Sequence, residues 1–192
     1  QECLLHDFGN PSSLHGLGIQ AEKRIESVRA LLAKHLGCEP ESIFFTSGGT
    51  EADNLAIKGA VLAGRRVGRH VLTTPIEHPA VLNTCQALRE EDLIELEYLP
   101  VDANGVVSVD EVKRRLRPDT VLVSVMFVNN ETGSIQPVAE IGELIRQVSP
   151  NCLFHVDGVQ AVGKLAINLA RMPVDLLTVS GHKLHGPKGI GA

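Results

Sequence analysis

No stretch of this sequence approaches the roughly 20 uninterrupted apolar residues a membrane-spanning helix needs, so a transmembrane role is excluded. A basic cluster is also missing. Lys and Arg total 18 against 23 Asp and Glu, a formal charge of −5, which argues against a nucleic-acid or anionic-membrane surface. The four cysteines, Cys3, Cys38, Cys85 and Cys152, show no Cys-x-x-Cys spacing. They read as reduced thiols of a cytoplasmic protein rather than as a disulfide framework or a zinc site. Gln1–Asp7 is mixed and acidic and does not read as a signal peptide. There is no internal repeat, low-complexity tract or linker.

What is present is ordinary for a globular protein: 192 residues, 43% apolar and 21% charged. That is too apolar for disorder and long enough for one domain whose core needs no disulfide or metal. A first residue other than Met, and an end within Gly-Ile-Gly-Ala, read as a fragment of a longer chain.

Periodicity orders the elements. Ala21, Ile25, Val28, Leu32 and Leu36 recur at the helical step and predict a helix over 17–36, stopped by Gly37. Ser42–Thr46 is a short apolar run that reads as a buried strand, and a helix carrying Leu55, Ala56 and Ile57 follows. Strands are predicted near 70–73, 94–99, 120–127, 152–156 and 175–179. Helices are predicted over 78–89, after Ser108 (three before Glu111, the spacing of a capping box), and after Pro137, with Ile141, Leu144, Ile145 and Val148 on one face. Apolar strands alternating with amphipathic helices imply an α/β three-layer sandwich around a mainly parallel sheet.

Such sheets bind ligands at the carboxyl ends of their strands, where five segments stand out. Ser47-Gly48-Gly49-Thr50-Glu51 is either an anion cradle at a helix start or a plain turn capped by Thr50. The absent P-loop lysine disfavours a triphosphate. Glu77-His78 starts a helix, and His78 is either structural or stacked on a planar ligand. Asn129-Asn130-Glu131-Thr132-Gly133 is an Asx turn or a carboxamide aimed into a cleft. Asp157, within His155-Val156-Asp157-Gly158-Val159-Gln160, is a capping residue or a buried acid that needs a cation to stay ionised. Lys183, in Ser180-Gly181-His182-Lys183, is a solvated loop residue or a desolvated, nucleophilic lysine. A phosphate cradle, a buried acid and a reactive lysine around a planar ring are together the parts of a pyridoxal phosphate site.

These segments, with Phe8-Gly9-Asn10-Pro11-Ser12-Ser13 and Gly186-Pro187-Lys188-Gly189, closely resemble the cysteine desulfurase and selenocysteine lyase group of the class V aminotransferase family. The resemblance spans nearly the whole chain. It implies the large domain of a pyridoxal phosphate-dependent transferase fold over residues 1–192, with a small C-terminal domain and a short N-terminal segment outside this sequence. It assigns Lys183 to the Schiff base and later proton transfer, Asp157 to the pyridinium nitrogen, and Gln160 to the phenolic oxygen. His78 would stack on the ring, Gly49, Thr50, Ser180 and His182 would hold the phosphate, and Asn130 would face the substrate carboxylate or the phenolic oxygen.

The implied reaction converts L-cysteine to L-alanine and leaves the sulfur as an enzyme persulfide for an acceptor such as an iron–sulfur scaffold protein. The persulfide cysteine and the carboxylate-binding arginine fall beyond Ala192, and none of the four cysteines matches a catalytic position. The resemblance further implies a cytoplasmic homodimer. Gly158 departs from the Ala that many relatives carry, with little effect expected. Selenocysteine, or another class V reaction, is the near alternative. A metal hydrolase built on His155, Asp157, His182 and His185, or a non-catalytic domain, is the distant one.

Overall fold

The computed structural model describes residues 8–192, so Cys3 and the opening Gln1–Asp7 lie outside the described residues. Two compact units are present. One ends at Phe44 and takes in Asn168–Ala170; the other comprises Phe45–Ile167 and Arg171–Ala192.

In the first unit, α1 (Gly16–Leu36) starts where the His15 ring Nδ1 accepts the Gly18 N–H at 3.3 Å. It stops at Gly37, whose φ of 73° is the left-handed conformation that glycine tolerates. The apolar stripe is there but is not buried along its length: Ile25 and Val28 are 38% and 53% exposed, and burial concentrates at Ala33 and Leu36. Periodicity reports a helix, whereas burial needs a covering element. Among the described residues, this unit adds only the short turn Pro40–Ser42.

The second unit holds a five-stranded, fully parallel sheet in the order β2-β1-β3-β4-β5. Its strands are β1 (His70–Thr73), β2 (Glu95–Tyr98), β3 (Thr120–Ser124), β4 (Leu153–Asp157) and β5 (Leu176–Thr178). Its helices are α2 (Gly49–Gly64), α3 (Pro79–Glu90), α4 (Val109–Arg115) and α5 (Val138–Val148). One core gathers Ile57, Ala60 and Val61 of α2 and Val81, Cys85 and Leu88 of α3 around Val71 and Leu122. The other gathers Val112 of α4 and Ile141 and Ile145 of α5 around Leu72, Val123, Phe154 and Val156. Each pair of helices therefore covers one face. The step from β1 to β2 runs through α3 on one face, and the opposite step from β3 to β4 runs through α5 on the other, as crossovers of a single hand require. The order reverses between β1 and β3, which sets a crevice at the carboxyl edge there.

Three local expectations are corrected. The run Ser42–Thr46 is not a strand: Phe44 is 67% exposed, and Thr46 makes only an isolated antiparallel bridge to Gly191. The Thr46 and Gly191 backbones exchange N–H···O bonds of 2.8 Å, but no ladder extends the pair. Ser108 caps α4 by position without a side-chain bond, because the Glu111 carboxylate is drawn instead to Arg114 and Arg115. Val148, assigned to the inner face of α5, is 49% exposed at the helix end. At Gly158, a Cβ would lie 2.6 Å from the Leu177 Cδ1, the movable tip of a side chain, and 3.1 Å from the Thr178 carbonyl oxygen.

Candidate active site

At the carboxyl edge of the sheet lies a cavity of about 190 Å³. All nine residues singled out from the sequence line it: Gly49, Thr50, His78, Asn130, Asp157, Gln160, Ser180, His182 and Lys183. Asp53, Met126 and Val159 complete the wall. The ends of β1, β3, β4 and β5 and the start of α2 contribute to it. α2 begins at Gly49, where a Cβ would meet the Val159 Cγ2 at 3.0 Å, so the turn packs directly on the loop after β4. The Glu51 carboxylate accepts the Ser47 N–H at 2.6 Å and ties the turn to the first turn of α2.

His78 combines both of its readings. Its Nδ1 accepts the Ala80 N–H at 3.1 Å and caps α3, while the ring lines the cavity. The two asparagines divide theirs. Asn129 is buried, and its Oδ1 accepts from the Glu131 and Thr132 backbone N–H groups at 2.9 Å, an Asx turn that shapes the loop. Asn130 is exposed and lines the cavity.

After β4, Asp157 is buried and its Oδ1 accepts the Val159 N–H at 2.9 Å. Burial raises its carboxyl above the usual range, against the opposing pull of that N–H and of His78. Gln160 accepts from the Lys164 ammonium at 2.8 Å through Oε1. A lysine only donates, so the amide oxygen must face Lys164 and the NH₂ is left to turn elsewhere.

After β5, Ser180 is buried and its Oγ lies 2.9 Å from the His182 Nδ1. Lys183 departs from the desolvated lysine considered above. The short turn Gly181–Leu184 carries it clear of the strand end, and the residue is exposed at the rim. The cavity thus has a buried acidic floor and an exposed rim that carries His78, His182 and Lys183.

Three buried polar residues had no assigned role. Asp53 is 1% exposed, and its Oδ1 has no hydrogen-bond partner among the described residues. Burial first, and the Asp157 charge second, push its carboxyl up to about 8. Glu77 accepts the Thr74 hydroxyl at 2.7 Å and the Met126 N–H at 2.9 Å, joining the loop after β1 to the end of β3. His155 sits between the Ser124 Oγ (2.8 Å, on Nδ1) and the Thr178 Oγ1 (3.0 Å, on Nε2), and burial lowers it to about 4. With both ring nitrogens taken, His155 is no metal ligand, and no group of three His, Cys, Asp or Glu among the described residues is placed to hold an ion. The signals for these residues were in the spacing. Asp53 precedes Ile57 by four on the buried stripe of α2, and His155 precedes Asp157 by two on one strand face.

An open parallel sheet with a polar cavity at the carboxyl ends of its strands is the arrangement in which α/β folds seat ligands. The aminotransferase class-V family matches residues 1–192, and the chain belongs to that family. Class V aminotransferases and cysteine desulfurases depend on pyridoxal phosphate.

Among curated proteins, the chain is 53% identical over 184 residues to the putative cysteine desulfurase IscS 1 of Bacillus subtilis (strain 168), covering 96% of this chain and 48% of that protein. It is 49% identical over 186 residues to the cysteine desulfurase IscS of Clostridium botulinum (strain Hall), covering 97% and 46%. Among solved structures, a NifS-like protein superposes with a TM-score of 0.95 at 42% identity, covering 99% of this chain and 52% of that one. SspA in complex with cysteine superposes at 0.93 with 38% identity, covering 100% and 54%. The fold is accordingly that of the pyridoxal phosphate-dependent transferases. The chain spans about half the length of the curated relatives it matches. No helix among the described residues is long and apolar enough to cross a membrane.

Proposed function

We propose that this chain is the cofactor-binding part of a pyridoxal phosphate-dependent cysteine desulfurase, which takes L-cysteine to L-alanine and passes the sulfur on through an enzyme persulfide. The observation that carries this reading is the convergence of nine residues, from the ends of β1, β3, β4 and β5 and from the start of α2, on one cavity in a chain of the class V family. The fit to the cofactor rests on chemistry already present. Thr50, Ser180 and His182 offer donors beside the Gly49 turn, Asp157 is a buried acid with no resident cation bonded to it, and Lys183 stands at the rim.

Pyridoxal phosphate, when bound, supplies an aldehyde for amines and a ring that draws electrons from the substrate's α-carbon. Thr50, the Gly49 N–H, Ser180 and His182 would hold the phosphate. Asp157 would set a negative charge against the ring nitrogen and keep the proton there. The NH₂ of Gln160 would donate to the phenolic oxygen, and His78 would stack on the ring. Asn130 would offer its carboxamide to the substrate carboxylate or the phenolic oxygen. Lys183 would supply the amine that takes the aldehyde and the base that accepts the α-carbon proton.

The sulfur acceptor proposed is the one that the sequence resemblance implies, an iron–sulfur scaffold protein. The free thiols Cys38, Cys85 and Cys152 fit a reducing, cytoplasmic setting. Members of the group that this sequence resembles pair as homodimers, and the same is proposed for this protein. The test is the full-length protein incubated with pyridoxal phosphate, L-cysteine and an excess of a dithiol, which reduces the persulfide and releases its sulfur, with L-alanine and sulfide measured. The proposal expects both products in equal amounts and neither from Lys183→Ala. Turnover of cysteine that persists in Lys183→Ala contradicts it.

A further inference from the structure

The site proposed above uses one buried carboxyl of its floor, and a second faces it. Asp53 lines the cavity from α2, 1% exposed, at a position whose helical neighbours Ile57 and Ala60 are core residues. Packing gives no reason for an acid there, and a buried carboxylate with a bare oxygen is costly unless it sheds its charge. Among the described residues, its surroundings supply no fixed positive charge. β4 presents Asp157 and the neutral His155, whose Nε2 is 3.6 Å from the Asp53 Oδ1. β5 presents the Thr178 hydroxyl, the loop after β1 presents Glu77, and α3 presents the Cys85 thiol, which burial keeps protonated. The groups His78, His182 and Lys183 line the same cavity from its exposed rim.

Strand register makes this a continuous structure. Thr73 pairs with Ser124, Ser124 with His155, and Asp157 with Thr178, so these side chains share the face that α2 covers. Hydrogen bonds run from Ser124 through His155 to Thr178, beside the Asp53 carboxyl. Two carboxyls so close in a buried site do not both ionise readily, and one proton stays with the pair. Which acid holds it follows from their partners. Asp157 accepts the Val159 N–H and faces the His78 charge, both of which favour the anion, while Asp53 has only the neutral Thr178 hydroxyl and its Oδ1 has no donor among the described residues.

We propose that Asp53 is a positioning residue for Asp157: it holds the proton of the pair beside the Ser124–His155–Thr178 row, and so leaves the single negative charge on the carboxylate that faces the cofactor ring. This rests on the pyridoxal phosphate reading of the cavity. The upward shift of Asp53 to about 8, from burial and then from the Asp157 charge, agrees with it.

The experiment has two arms on the full-length protein. In the first, side-chain carboxyl ¹³C resonances are titrated in cofactor-free wild type, Asp53→Asn and Asp157→Asn. An aspartate titrating near pH 8 in the wild type, absent from Asp53→Asn and moved to lower pH in Asp157→Asn, is the expected result. In the second, pyridoxal phosphate affinity is measured at pH 7. Asp157→Asn should weaken it about tenfold or more through loss of a charge-assisted hydrogen bond, and Asp53→Asn by no more than about twofold.

An Asp53 carboxyl already ionised at pH 7 overturns the proposal, as does an Asp53→Asn defect equal to that of Asp157→Asn. If Asp53→Asn does not fold, the wild-type and Asp157→Asn titrations decide. A wild type that binds no cofactor overturns the functional reading instead, with the titration still reporting which acid holds the proton.

Discussion

Toward α4 and α5 the sheet presents Leu72, Val123, Phe154, Val156 and Leu177; toward α2 and α3, one residue further along each strand, it presents Thr73, Ser124, His155, Asp157 and Thr178. Apart from Leu177, which is half-buried, every one of these side chains is buried. Burial alone therefore does not distinguish the two faces; their partners do. The first face is closed by dispersion and apolar area; the second carries the hydrogen-bonded row Ser124–His155–Thr178, with Asp157 tied to the Val159 N–H beside it. The hydroxyl row runs across the end of the sheet where the strands point into the cavity, and below it the same face returns to apolar packing at Val71 and Leu122.

Perturbing each face separately sharpens the contrast. Phe154→Ala should carry the largest penalty, about 3–5 kcal/mol in urea unfolding, because it opens a cavity in the fully buried apolar layer. On the other face, Ser124→Ala should cost less, about 1–3 kcal/mol, from leaving the His155 Nδ1 without its partner. Equal penalties, or a reversed order, would break the distinction.

A third effect is one of pH, small near pH 5 and growing toward pH 8. Glu77 is pushed up to about 8 from 4.5, chiefly by burial. The stability it contributes is whole below the unfolded value and is lost as pH rises through about 8. Glu77→Gln should therefore gain stability relative to wild type between pH 5 and pH 8.5, read as a Tm difference that widens with pH. A difference that stays constant across that range would mean that Glu77 is ionised in the fold.

Much of the molecule was legible from spacing. Strand and helix positions followed from apolar runs and 3.6-residue steps, because a sheet covered on both faces demands apolar strands. The segments that hold the nine cavity-lining residues were legible from the polar runs after apolar ones, and the resemblance picked out Asn130, Gln160, Ser180 and His182 within them. Pairing was the part that stayed hidden. Ser42–Thr46 has the composition of a strand, yet only Gly191 bridges it, and composition carries no information about a neighbour distant in sequence. The exposure of Ile25 and Val28 was hidden for the same reason. Of the two readings left open for Lys183, the exposed one holds, because the turn Gly181–Leu184 displaces it outward and a turn's direction is not written in hydropathy. Asp53 lay in plain view on a helical stripe, but its meaning depended on the facing strand, which places Asp157 and His155 opposite it.

The central claim, that this edge of the sheet seats pyridoxal phosphate against Lys183, is tested most directly by chemical trapping. Full-length protein is incubated with pyridoxal phosphate, reduced with borohydride, digested, and read by mass spectrometry for the pyridoxyl-phosphate mass addition. The account predicts the addition on Lys183 and its disappearance in Lys183→Ala. Reproducible modification at Lys164 or Lys188 with Lys183 untouched, or no stoichiometric modification at all, would contradict it.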